Sequence, residues 1–224
     1  TVEVRDLFFN TPARRKFLKS PAGELRTALR MIEALALASP EVGFRVTVDG
    51  RERLSFPPAG SPRERAAALW GAGHAEQRIE AEGERDGMRL YALLGLPEHA
   101  RATRDGQTFL VNRRWIQSPS LSQALRQAYG NLIPDGRFPA ATLWITVPAA
   151  RLDVNVHPTK REVRFASDDS VFGLVAGASA QKLAPLHPPF SVVAGGSDEP
   201  RWAERAAERP PDSTSLGLDA QHDR

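Results

Sequence analysis

Residues 107–130 read QTFLVNRRWIQSPSLSQALRQAYG, and their order decides the fold class. Phe109, Leu110 and Val111 form a short apolar run bounded by polar residues, which predicts a buried strand over 107–116. Ser118 then precedes Pro119. A hydroxyl at the cap accepts from an orphan backbone N–H, and proline suits the first helical position. Leu121, Leu125, Ala128 and Leu132 recur at helical spacing, and Gly130 closes the helix after Tyr129. The pattern repeats on both sides. Residues 141–147 read as a strand, 152–156 and 163–165 as short ones, and 171–183 as a closing helix. Upstream, 79–84 and 88–96 read as a strand pair turning at Asp86-Gly87, after a helix over 63–70 ended by Gly71. Strands and helices in this order predict an α+β domain with its helices on one face of a mixed sheet.

Further out, Val2, Val4 and Leu7 alternate with polar residues and predict a half-buried strand. Asn10-Thr11-Pro12 starts a helix, and Pro21 interrupts it. From Ala22 to about Ala38 a second helix places Leu25, Leu29, Ile32, Leu35 and Ala36 on one face, and Ser39-Pro40 stops it. Phe44, Val46 and Val48, then Asp49-Gly50, then Leu54 and Phe56, spell a hairpin. The run PPAGSP at 57–62 marks a domain joint. At the far end, 187–224 has little apolar content and alternating charge, with Trp202 its one tryptophan. It reads as a flexible linker.

The whole chain has 224 residues, 41% apolar and 25% charged, ordinary values for a globular protein. No run approaches the roughly 18 apolar residues of a membrane span, and no signal peptide is apparent. Because it opens at Thr1 inside a strand pattern, the chain is expected to be part of a longer protein. With no cysteine and five histidines, none paired at ligand spacing, neither a disulfide framework nor a structural zinc site is expected. Residues 187–224 hold seven acidic and four basic residues, which leaves 26 basic against 20 acidic in residues 1–186. That surplus permits a nucleic-acid partner without demanding one.

Three segments carry more than scaffold chemistry. DLFFNTPARRKFL, residues 6–18, sets Arg14, Arg15 and Lys16 at a helix start, where cations oppose the macrodipole unless an anion is near. FLVNRRWI, residues 109–116, sets Arg113 and Arg114 beside Trp115, groups that hold a phosphate backbone and stack. LDVNVHPTKREVRF, residues 152–165, ends a strand in His157-Pro158 and puts Lys160 and Arg161 on the following loop. A loop lysine is a compact, movable point charge for a terminal phosphate. On residue types alone each segment also reads blandly, as a surface charge run, a strand end and a solvated loop.

Together and in this order, the three segments resemble the MutL family of DNA mismatch-repair proteins across residues 1 to about 186. The FFNTPAR and DVNVHP-x-K blocks are its specific marks. The resemblance implies the tail of a GHKL-type ATPase sandwich in 1–57. It then implies an α/β sandwich like the second domain of ribosomal protein S five in 58–186, and a disordered linker in 187–224. It implies a parent that uses ATP and magnesium, dimerises with itself and binds double-stranded and mismatched DNA. That parent would recruit repair factors, work with a mismatch-recognition protein of MutS type, and sit on the bacterial nucleoid away from membranes. Lys160 matches the lysine sent to the ATP terminal phosphate, and Thr1 falls at or beside the family's Gly-Thr nucleotide motif. Arg113, Arg114 and Arg126 match its DNA-contacting positions, but Ser118-Pro119-Ser120 replaces basic residues at the helix start. The magnesium-holding Asn and Glu helix and the glycine loops are absent. No catalytic residue is therefore assigned, and ATP turnover by this chain alone is not expected. Two other readings stand beside this one. One is a stand-alone nucleic-acid-binding module of ribosomal type that works without ATP. The other is a topoisomerase or chaperone relative, which would show Gln-Thr-Lys where this chain has Pro158-Thr159-Lys160.

Overall fold

The structure, a computed structural model, describes residues 1–154 and 161–187. Asn155, His157, Lys160 and the segment read as a linker from residue 188 lie outside the described residues.

After the short helix α1 (Pro12–Arg15), Ser20 caps α2 (Pro21–Ala38) by accepting from the Gly23 N–H at 3.3 Å. The Asp-Gly hairpin follows as β1 (Phe44–Val48) and β2 (Arg51–Phe56). Asp49 and Gly50 take the left-handed conformation that its turn requires, at φ 51° and 73°. The proline-rich joint is ordered. Ala59 N–H donates to Pro40 O, and Ser61 caps α3 (Pro62–Trp70), which the short α4 (Ala72–Glu76) follows. Then come β3 (Ile79–Arg85), β4 (Met88–Leu94), β5 (Gln107–Val111) and β6 (Arg114–Ile116). The chain continues through α5 (Pro119–Tyr129), β7 (Ala141–Thr146), β8 (Leu152–Asp153), β9 (Arg164–Phe165) and α6 (Asp168–Leu183).

Five strands form one mixed sheet in the order β3-β4-β7-β5-β6, with β5 parallel to β7 and the other pairs antiparallel. Period-two alternation gives that sheet two apolar faces. Met88, Leu90, Ala92, Phe109, Val111, Leu143 and Ile145 pack with Leu121, Leu125, Leu174 and Val175 of α5 and α6. Leu93 and Leu110, with Tyr91, Trp115 and Trp144, face the other way, onto Leu37 and Ala38 of α2 and Ala66 of α3. A fully buried leucine contributes about 1.5–3 kcal/mol, so both layers stabilise the sheet.

Four expectations are corrected here. Residues 1–7 form no strand. Val2 is 92% and Val4 74% exposed, because a strand needs a neighbour to complete its hydrogen bonds and no described segment lies alongside. The expected strand over 107–116 is a hairpin, since Asn112 and Arg113 turn the chain at φ 46° and 65°. Helices cover both faces of the sheet, not one. In α2, Leu35 is exposed while Ala34, Leu37 and Ala38 are buried, because the Trp144 side of the sheet chooses which stripe it accepts.

Candidate functional site

The β5–β6 turn places Arg113 and Arg114 side by side at the sheet edge, both exposed. Asn112 sets that turn. Its backbone N–H donates to Ile145 O at 2.9 Å, one residue beyond the last β5–β7 pair. Its side chain then continues the ladder. Nδ2 donates to Val147 O at 2.8 Å, and Oδ1 accepts the Val147 N–H at 2.9 Å. Asparagine serves here because it tolerates left-handed φ and its amide copies a peptide group. Asn112→Ala forfeits both side-chain bonds and strains the turn, so a loss of about 2 kcal/mol is expected, and Asn112→Asp, which keeps the acceptor, should lose less. Urea unfolding measures this. A change within about 0.5 kcal/mol for the alanine variant would show that the turn holds without the amide.

The two arginines differ in what they meet. Arg113 Nη1 lies 2.5 Å from Glu41 Oε1, in the loop between α2 and β1. The Glu41 carboxyl is held below the usual carboxylate range, first by its own backbone N–H and then by Arg113. Arg114 has no carboxylate within ion-pair distance among the described residues. Arg126, on α5, is engaged elsewhere: Nη1 donates to Ile133 O at 3.0 Å and Nη2 meets Asp135 Oδ1 at 2.6 Å. The structure therefore brings Arg113 and Arg114 together and leaves Arg126 clasping the loop after its own helix. Thr1 is exposed.

Lys160 itself is outside the described residues, but its successor is not. Arg161 was expected to be an ordinary loop cation. Instead its guanidinium lies 4.1 Å from the centre of the Trp115 ring, and its carbonyl accepts the Gln117 N–H at 2.8 Å. This ties the chain directly after Lys160 to the strand end that follows the arginine turn.

Sequence reasoning missed Arg65. It is fully buried on α3, and Nη2 donates to Pro40 O at 2.6 Å and Val42 O at 2.5 Å. Its guanidinium also lies 5.9 and 5.8 Å from the Phe44 and Phe56 ring centres. Burial lowers its proton affinity, which Glu41 partly restores, yet a guanidinium stays charged at any physiological pH. Trp144 Nε1 adds a second tie, donating to Leu37 O at 2.8 Å. Residues 34–56 are thus joined to α3 by the buried Arg65 and to the five-stranded sheet by the Trp144 bond, as well as by apolar contact.

Comparison with known proteins accounts for this arrangement. Residues 66–184 match the family described as the DNA mismatch repair protein, C-terminal domain. The DNA mismatch repair protein MutL of Acidiphilium cryptum is 40% identical over 97% of this chain, which covers 39% of that protein. MutL of Azotobacter vinelandii is 40% identical over 94% of the chain and 32% of its own length. The chain thus spans two-fifths or less of these relatives. Among solved structures, the ATPase domain of Aquifex aeolicus MutL, a bacterial mismatch repair endonuclease, superposes at TM-score 0.54 with 29% identity. It covers 79% of this chain and 60% of its own. The N-terminal domain of a DNA repair protein shares the fold at TM-score 0.64 and 22% identity, over 80% of this chain and 59% of its own. The expected α+β class therefore holds. Family match, relatives and fold agree with the three quoted sequence blocks, and the chain belongs to the MutL family of DNA mismatch-repair proteins.

Proposed function

We propose that this chain is the transmitting part of a mismatch-repair ATPase, linking nucleotide binding to DNA binding. In this reading residues 1–57 end the ATP domain, 58–186 form the transducing and DNA-binding domain, and 187–224 lead onward as a linker. ATP and magnesium act in the intact parent, Lys160 meets the terminal phosphate and Thr1 lies beside the nucleotide. ATP-driven homodimerisation then sets the DNA-binding face between the two subunits and recruits repair partners, among them a protein of MutS type. The observation that supports this reading best is the joint. The loop that Arg65 clasps also carries Glu41, and Glu41 holds Arg113 of the exposed arginine turn. A shift of α2 or of the β1–β2 hairpin on nucleotide binding would reach that turn directly. The exposure of Val2, Val4, Phe9 and Phe17 favours this reading over a stand-alone module, because a segment that packs against the rest of an ATP domain leaves such side chains uncovered in its absence.

DNA contact comes from Arg113 and Arg114, and Arg126 joins them only by giving up Asp135. The full chain is expected to bind unrelated duplexes weakly, with log affinity falling against log salt by roughly 0.9 per phosphate neutralised. Arg114→Ala should weaken all sequences alike and reduce that slope by about one contact. Fluorescence anisotropy at several salt concentrations reads both quantities. An unchanged slope, a marked sequence preference, or no binding at low salt would refute the assignment.

A further inference from the structure

Beside the contact between α2 and Trp144, the second face of the sheet leaves a half-open cleft of about 410 Å³, the size of a small-molecule site. Three guanidiniums line it. Arg30 is already engaged, donating to Asp105 Oδ1 at 3.2 Å and Asp105 O at 2.9 Å. Arg78 and Arg101 have no carboxylate within ion-pair distance among the described residues. Arg78 Nη1 donates to Ala140 O at 3.0 Å, and its guanidinium lies 4.9 Å from the Trp70 ring centre. Burial lowers the proton affinity of Arg78, and Arg101 acts in the same direction, so two like charges share one cleft.

Glycines make room for both. A Cβ on Gly95 would stand 2.8 Å from Ala140 O and 2.9 Å from Arg78 Nη1, and one on Gly106 would stand 3.2 Å from Arg101 Cδ. The backbone of Arg101 is fixed by reciprocal hydrogen bonds with Phe138, at 2.8 and 2.7 Å. Gln107 also lines the cleft. Its Nε2 donates to Pro139 O at 3.3 Å, but its buried Oε1 has no hydrogen-bond partner among the described residues, and such an acceptor is costly to leave unmet. Glu33 faces the same space with its carboxyl pushed up by burial against the pull of Arg30, which weakens its claim on the free arginines.

We propose that this cleft binds one nucleotide, free or as a unit of a single strand, with its phosphate on Arg78 and Arg101. Its ring lies against the indole walls of Trp70 and Trp115, and a donor on it meets Gln107 Oε1. Paired guanidiniums suit a phosphate or a carboxylate. A small carboxylate, however, leaves the Gln107 acceptor unmet, while the ring of a nucleotide carries a donor for it and extends to Trp70 and Trp115, which stay partly exposed beside the Arg78 and Arg161 guanidiniums. With Arg30 and Glu33 of α2 on one wall and the sheet on the other, the bound nucleotide clamps α2 in place. Arg78 and Arg101 have no part in the function proposed above, so the site does not depend on it.

Tryptophan fluorescence of the full chain, titrated at constant ionic strength, tests the assignment. The probes are AMP, inorganic phosphate and a deoxythymidine trinucleotide. Saturable quenching by AMP is expected, weakened about tenfold by Arg101→Ala, as loss of one charge-assisted contact implies. Arg51→Ala, an exposed change on β2, should leave it untouched. Quenching by the trinucleotide alone, with the same dependence on Arg101, supports the site and identifies its source as a strand. The proposal is overturned if neither nucleotide probe saturates, if Arg101→Ala binds like the parent, or if inorganic phosphate binds as tightly as AMP.

Discussion

Arg65→Ala is expected to cost the folded chain about 3 kcal/mol. The side chain is fully buried, and its Nη2 meets the Val42 carbonyl and shares the Pro40 carbonyl with the Ala59 N–H. Leaving a buried acceptor unmet costs about 1–3 kcal/mol, and truncation adds a cavity between Phe44 and Phe56. Removing a desolvated charge offsets part of this, because Nε and Nη1 are buried without partners among the described residues. In a domain of this size the net loss lowers Tm by about 6–12 °C. Arg65→Met keeps most of the volume and none of the donors, and should lose about 2 kcal/mol. Urea unfolding read by tryptophan fluorescence gives both values. Stability within about 0.5 kcal/mol of the parent for Arg65→Ala would mean that apolar contact alone holds the hairpin to α3.

The second large effect concerns Lys160 in the longer protein. A charge-assisted contact to phosphate is worth about 1.5–3 kcal/mol, so Lys160→Ala should slow steady-state ATP hydrolysis by roughly tenfold to a hundredfold. Thermal stability should stay within about 0.5 kcal/mol of the parent, as for most surface substitutions. Arg161 is unsuitable as a neighbouring-charge control, since its stacking on Trp115 and its bond to Gln117 make it an anchor of the loop. Arg164, exposed on β9, is the better comparison, and Arg164→Ala should retain parental hydrolysis. Parental activity in Lys160→Ala, or an equal loss in Arg164→Ala, would reduce the lysine to an ordinary surface charge.

Much of the architecture was legible in residue order. Hairpins at Asp49-Gly50 and Asp86-Gly87, the serine cap before Pro119, and the stops at Gly71 and Gly130 are local events. Each is decided by backbone sterics and by which nearby group satisfies an orphan N–H or C=O. The mismatch-repair family was legible for a different reason: FFNTPAR, VN-x-R and DVNVHP-x-K occur together, at the family's spacing. Arg113 and Arg114 were legible as a pair of cations beside a tryptophan.

What those arginines do was not legible, because partners distant in the chain decide it. Glu41 lies 72 residues from Arg113, and only the folded chain shows that it restrains Arg113, while Arg114 meets no carboxylate among the described residues. Asn112 looked like part of a continuous strand, since nothing local reveals that its amide will extend the β7 ladder. Arg65 carries no local signal within the helix expected over 63–70. It is buried only because the α2–β1 loop delivers two carbonyls, and β1 and β2 two phenyl rings, to the same spot. The strand expected at Val2–Leu7 failed for the complementary reason. Alternation specifies which side chains would face a core, but the hydrogen bonds of a strand come from a neighbour. Local sterics and capping act within a few residues and can be read along the chain. Burial, ion pairing and strand partnership are properties of segments that meet only after folding.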